Sequence, residues 1–294
     1  MHAHLAPRFA SHIPLIAFCL VIAGCTSPIK KLEPSNNTVK WTEWPSVLQQ
    51  QLIEFAPPSI LLLGEQHNAP EHALWARQTV ETLQKSDRVA ALVMEMADAG
   101  FNTRQLPSDA TDIQVQTALQ WNNMGWPWER YGPIVMAAVQ SGVPVFGGNL
   151  ARSSMSAVMQ ENRWDQHLPT AQWEAQRTAI RTGHCDLLPD SQITPMARIQ
   201  LAKDESMART ALAHLQPNKT VLLLAGKGHV WRNIGIPTWL PQGVSSKVAV
   251  AQAKSHATPV PSEYEWLVQT PALPDTDHCQ ALRERWKQRT SNGK

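Results

Sequence analysis

Four short apolar runs set the pattern of this chain, at residues 60–63, 89–96, 143–146 and 220–224. Runs of this length without polar alternation predict strands covered on both faces, as in a parallel sheet. Residues 247–251 and 264–268 are shorter strand candidates. Between the runs the apolar spacing changes to that of helices. Ala73, Leu74, Ala76 and Val80 form a stripe over 69–84, with Pro70 in the first turn. A second helix is expected over 134–140. A long helical excursion follows over about 151–215, clearest from 196, where Ile199, Met207, Leu212 and Leu215 keep helical spacing. The expectation is an α/β fold: a central, mostly parallel sheet flanked by helices, with a helical insertion between the third and fourth main strands, in one domain over 41–294.

The polar residues that close these runs carry the candidate chemistry. Gly64 is followed by Glu65 and His67, Glu95 lies at the end of the second run, Gly147-Gly148-Asn149 follows the third, and Gly226-Lys227-Gly228-His229 follows the fourth. Open parallel sheets bind ligands beyond the carboxyl ends of their strands. One sheet would therefore gather Glu65, His67, Glu95, Asn149, Lys227 and His229, a set too polar to bury without a ligand. Each has a plain reading alone: a histidine that caps a strand, a solvated lysine, or, for Glu71 and His72, a helix start. Trp121, Trp126 and Trp128 with Gly125 and Pro127 form an aromatic, irregular loop just before Tyr131, and packing is their ordinary role. The Gly147-Gly148 pair is not a dinucleotide fingerprint.

The amino terminus changes the picture. Arg8, an apolar core over 13–22 and Ile22-Ala23-Gly24-Cys25 resemble an export signal ending in a lipobox. Residues 1–24 are then a signal peptide, Cys25 is acylated, and the polar stretch to residue 40 is a tether. Thr26 after the cysteine favours the outer membrane of a Gram-negative bacterium, facing the periplasm. The formal net charge of +2 argues against nucleic-acid binding. Cys185 and Cys279 remain as an even pair in an oxidising compartment. A disulfide closing a loop of about 95 residues is expected, worth roughly 4 kcal/mol on the chain-entropy model. Metal-binding thiols are the alternative, without a second ligand nearby.

The segments GEQHNAPEH (64–72), WPWERYGPI (126–134), GHCDLLP (183–189), QLAKDESMA (200–208) and LLLAGKGHVWRNIGIP (222–237) together resemble the ChaN family of haem-binding lipoproteins. That family lies in the superfamily of Tiki peptidases and erythromycin esterases, and the resemblance covers roughly 48–240. It implies a haem-binding domain on an outer-membrane anchor, in haem-iron uptake or storage, with an outer-membrane haem receptor as a candidate partner. It also implies a homodimer whose second subunit completes the pocket, an iron-bound tyrosinate, and histidine and lysine on the propionates. The chain has only Tyr131 and Tyr264. Tyr131 lies in the matching motif and is the expected iron ligand. Lys227, His229, His67 and Arg130 are the expected propionate partners, with Glu65 in the pocket wall. Met94, Met96 and Met124 are further thioethers, more often core. The competing reading is a hydrolase whose Glu65, His67, Glu95 and His229 hold a divalent metal. Neither H-E-x-x-H nor a G-x-S-x-G elbow supports a zincin or a serine hydrolase. A third reading is a purely structural lipoprotein.

Overall fold

Seven strands form one wholly parallel sheet in the order β1-β7-β6-β2-β5-β3-β4. The protein is seen in a computed structural model that describes residues 37–54, 58–254, 260–274, 279–280, 282–284 and 287, besides His2. The expected signal peptide, the lipidated Cys25 and the tether up to residue 36 lie outside the described residues. The strands are β1 (Asn37–Lys40), β2 (Ile60–Glu65), β3 (Val89–Asp98), β4 (Val145–Asn149), β5 (Thr220–Gly226), β6 (Ser246–Ala253) and β7 (Trp266–Thr270). β1 falls inside the segment read as tether. It pairs with β7 from Asn37 against Trp266, so ordered structure starts earlier than residue 41.

The apolar runs are central strands for the expected reason, because both faces are covered. Leu61 and Leu63 point into one core with Trp44, Trp75 and Leu92, while Ile60 and Leu62 point into the other with Val93, Met207 and Ala211. This is the two-residue period of a strand. The first core is roofed by α1 (Trp44–Glu54), α2 (Pro70–Gln84), α3 (Asp112–Ala118) and α4 (Trp128–Gln140). The second face carries α7 (Asp190–Leu212), which follows α5 (Met155–Gln160) and α6 (Thr170–Gly183) in the helical insertion. Cys185 and Cys279 form the expected disulfide, 94 residues apart.

Two helices start earlier than their apolar spacing suggests. α7 begins at Asp190 rather than near 196, with Pro195 inside its second turn. α4 begins at Trp128, so Tyr131 sits within the helix and Gly132-Pro133 does not precede it. Gly132 is needed there: a Cβ would stand 2.6 Å from the Trp128 ring that lies across this face.

Candidate functional site

Register brings the site together. Leu63 is level with Leu224, and Leu224 with Met94, so Gly64, Ala225 and Glu95 form the next row and Glu65 pairs with Gly226. Three strand exits thus meet at the carboxyl edge, where such sheets hold ligands. Gly226 donates its N–H to Glu95 Oε2 at 2.8 Å.

Two carboxylate and imidazole clusters grow from this row. In the first, Glu65 Oε1 accepts the Tyr131 hydroxyl at 2.8 Å and lies 2.8 Å from His67 Nδ1. Its Oε2 is buried without a partner among the described residues. In the second, His229 is buried between Asp204 Oδ1, 2.5 Å from Nδ1, and Glu95 Oε1, 3.3 Å from Nε2. Gln200 Nε2 stands 2.9 Å from His229 Nδ1, and Lys203 Nζ is 3.8 Å from Glu95 Oε1. The clusters meet where His67 Nε2 approaches Glu95 Oε2 at 3.7 Å.

Charge follows from this packing. Burial opposes the charging of His229, but the carboxylates of Glu95 and Asp204 outweigh it and raise its pKa to about 10. Burial raises Asp204 to about 6 against the pull of His229. Burial would also raise Glu95, yet His229, His67 and Lys203 hold it well below the usual carboxylate range. His67 is raised as well, since its bond to Glu65 and the nearby Glu95 overcome the effect of burial. The Tyr131 phenol is pushed far above its ordinary value by burial and by the Glu65 charge it faces. Burial lowers Lys227.

The residues read from the sequence therefore separate. Glu65, His67, Glu95, Tyr131 and His229 do come together. Both ring nitrogens of His229, expected as a propionate partner, face buried carboxylates. Arg130 donates to the His67 carbonyl and so braces the loop rather than standing free. Lys227 lies at the rim, its Nζ 3.4 Å from Gln252 Oε1. Asn149 ends β4 with Oδ1 buried and unpaired among the described residues, and does not bond to the clusters. His72 is structural: its Nδ1 accepts the Gln66 N–H at 2.9 Å, leaving the Nε2 proton for Thr270 Oγ1 at 3.0 Å. Met94 and Met96 are core, whereas Met124 is exposed at the tip of the tryptophan loop. Trp121 and Trp128 pack edge to face, and Trp126 meets the His67 ring at 4.8 Å and 69°.

Asp204, Lys203 and Gln200 are the site residues that the sequence reading missed. Asp204 carried a usable signal: it stands at helical spacing from Leu201, Met207 and Ala208, on the buried stripe of α7. A carboxylate on such a stripe needs a cationic partner, and His229 is that partner. Among the described residues no three histidine, cysteine or acidic side chains are arranged to hold a metal ion. His229, one of the residues of the divalent-metal reading, is here an ion-pair partner of Glu95 and Asp204.

The fold and edge site define an α/β protein with a largely buried polar cluster at the exits of β2, β3 and β5. Residues 52–240, which include all of these exits, match the family described as haem-binding uptake, Tiki superfamily, ChaN. The chain belongs to that family. Among solved structures it resembles ChaN of Campylobacter jejuni, described for cofacial haem binding, at 21% identity and a TM-score of 0.61, over 74% of this chain and 90% of that one. The type III effector HopBA1 is more distant, at 12% identity and a TM-score of 0.40, over 73% and 88% of the two chains. No curated protein matches the chain.

Haem held by tyrosinate does not fit these residues. Tyr131 is 0% exposed, with its hydroxyl engaged by Glu65, and Tyr264 is 6% exposed at the far face of the sheet, beside β7. His67, with 40% of its side chain exposed, and Lys227, partly exposed, are basic side chains at this edge within reach of solvent, the chemistry that haem propionates need.

Proposed function

We propose that this protein binds haem at the sheet edge formed by the exits of β2, β3 and β5 and serves haem-iron uptake or storage. The observation that carries this reading is the family match over residues 52–240, which takes in the exits of β2, β3 and β5. The amino-terminal sequence supports a lipoprotein anchored through Cys25 in the outer membrane, facing the periplasm. The resemblance of the sequence motifs to this family supports a homodimer in which the second subunit closes the pocket, with a haem receptor as the partner in transfer. Lys227 is the rim cation best placed for a propionate, since its amine has only a long contact to Gln252.

The test is a haemin titration of the full chain purified in detergent, followed by absorbance and by mass. A Soret band displaced from that of free haemin, saturating at a fixed ratio in a dimer, is expected. An unchanged spectrum would remove the proposal. Replacing Cys25 by serine is expected to release the chain from membranes without altering the band.

A further inference from the structure

We propose that the cavity between α6 and the turn over residues 231–234 is a second ligand site, which takes a small amphipathic amine: an ammonium group on an aromatic or aliphatic body. The inference is independent of the haem reading. The cavity measures about 460 Å³, within the range of small-molecule sites. Its apolar lining is Ala171 and Ala175 of α6 with Trp231, Ile234 and Val260. α6 packs on α7 through Trp173 and Ile180, and Ala171 and Ala175, one helical turn apart, stay exposed on another face. Their small side chains leave the space open. Trp231 and Ile234 are held from beneath, since Trp231 packs against the core under α7 and Ile234 against the core between α5 and α7.

Charge selects the ligand. Among the described residues Glu263 is the one charged side chain that lines the cavity. Asn233 holds its carboxylate in place, donating its backbone N–H to Oε2 at 3.2 Å and its side-chain amide to Oε1. Arg232, the adjoining cation, is engaged by Glu265 instead. A fixed carboxylate on an apolar cavity attracts an ammonium group and repels the propionates of haem, while Trp231 offers an aromatic wall to a cation or a ring. Glu265 also accepts the Val248 N–H at 2.7 Å, near the start of β6, and directly precedes β7. The cavity therefore lies toward the amino ends of β6 and β7, on the face that carries α7, and away from the carboxyl edge assigned to haem.

The test is a calorimetric titration of the full chain, in a non-ionic detergent, with three probes that share one body: phenethylamine, phenethyl alcohol and 3-phenylpropanoate. The amine is expected to bind about fivefold or more tightly than the alcohol, and the carboxylate more weakly than either. Glu263→Gln is expected to bring the amine to the level of the alcohol. Ala175→Trp, at an exposed helix position, is expected to abolish amine binding by filling the cavity, with haemin binding unchanged. No measurable amine binding, equal binding of amine and alcohol, or an amine affinity kept in Glu263→Gln overturns the inference. Loss of haemin binding in Ala175→Trp overturns it as well, because the cavity would then belong to the haem site. If Ala175→Trp does not fold, photolabelling of the wild type with 4-azidophenethylamine decides: labelled peptides that carry Trp231 or Val260 uphold the site, and labelling confined to other peptides overturns it.

Discussion

His67 and His229 stand at the same spacing after a strand-end glycine, Gly64 in one case and Gly226 in the other, on neighbouring strands of one sheet. Their surroundings nevertheless differ. His67 faces a single bonded carboxylate, keeps Nε2 free of hydrogen bonds and is partly open to solvent. His229 is enclosed, with a carboxylate on each nitrogen and its charge fixed. The difference comes from what packs over each exit. α4 brings a neutral phenol to the first, and α7 brings Asp204 to the second. An identical local pattern is thus divided into a partly open position and a buried ion pair by residues more than twenty positions away in the chain.

The sharpest way to break this comparison is to remove the buried imidazolium. His229→Ala leaves the buried Asp204 without its cationic partner and Glu95 with only His67 and Lys203 nearby, and is expected to destabilise the fold by about 3–5 kcal/mol, measured by denaturant unfolding. Asp204→Asn keeps an acceptor for Nδ1 and loses the charge, so a smaller loss of about 1–3 kcal/mol is expected in the same measurement. Tyr131→Phe removes one donor from Glu65 and is expected to cost about 1 kcal/mol. His67→Ala, at the open exit, is expected to change stability by less than about 1 kcal/mol. Equal losses for the two histidines would erase the distinction.

The pH dependence separates them further. The pKa of His229 rises from 6.5 unfolded to about 10 folded. Between these values the native state binds more protons than the unfolded state, so stability falls as pH rises. The contribution of His229 is complete below pH 6.5 and is lost as pH climbs through about 10. The stability gap between the wild type and His229→Ala is therefore expected to narrow over that interval. A gap that stays constant from pH 6.5 to 10 would mean that His229 is neutral in the folded protein.

Much of this was legible in the sequence. The apolar runs gave the central strands because parallel strands are buried on both faces, and the polar residues after them identified the crevice. β1 was not legible: Asn37–Lys40 is polar at the sheet edge and pairs only with β7, so no apolar run announces it. The start of α4 was hidden by Gly132-Pro133, which usually marks a boundary but here lies under the Trp128 ring. Tyr131 was placed by motif in the correct neighbourhood, while its complete burial depends on the helix phase that this earlier start creates. The pairing of Asp204 with His229 joins an insertion helix to a strand exit, a contact that periodicity along either segment does not specify.

The most direct test of the divided histidines is nitrogen-15 NMR of histidine-labelled protein, with His67 and His229 assigned from the His67→Gln and His229→Gln spectra. His229 is expected to show a doubly protonated imidazolium at pH 7 that persists toward pH 10 and is little altered by haemin, while the signal of the partly open His67 shifts on haem binding. A His229 that titrates near 6.5, or a haemin response centred on His229 and absent from His67, would contradict the account.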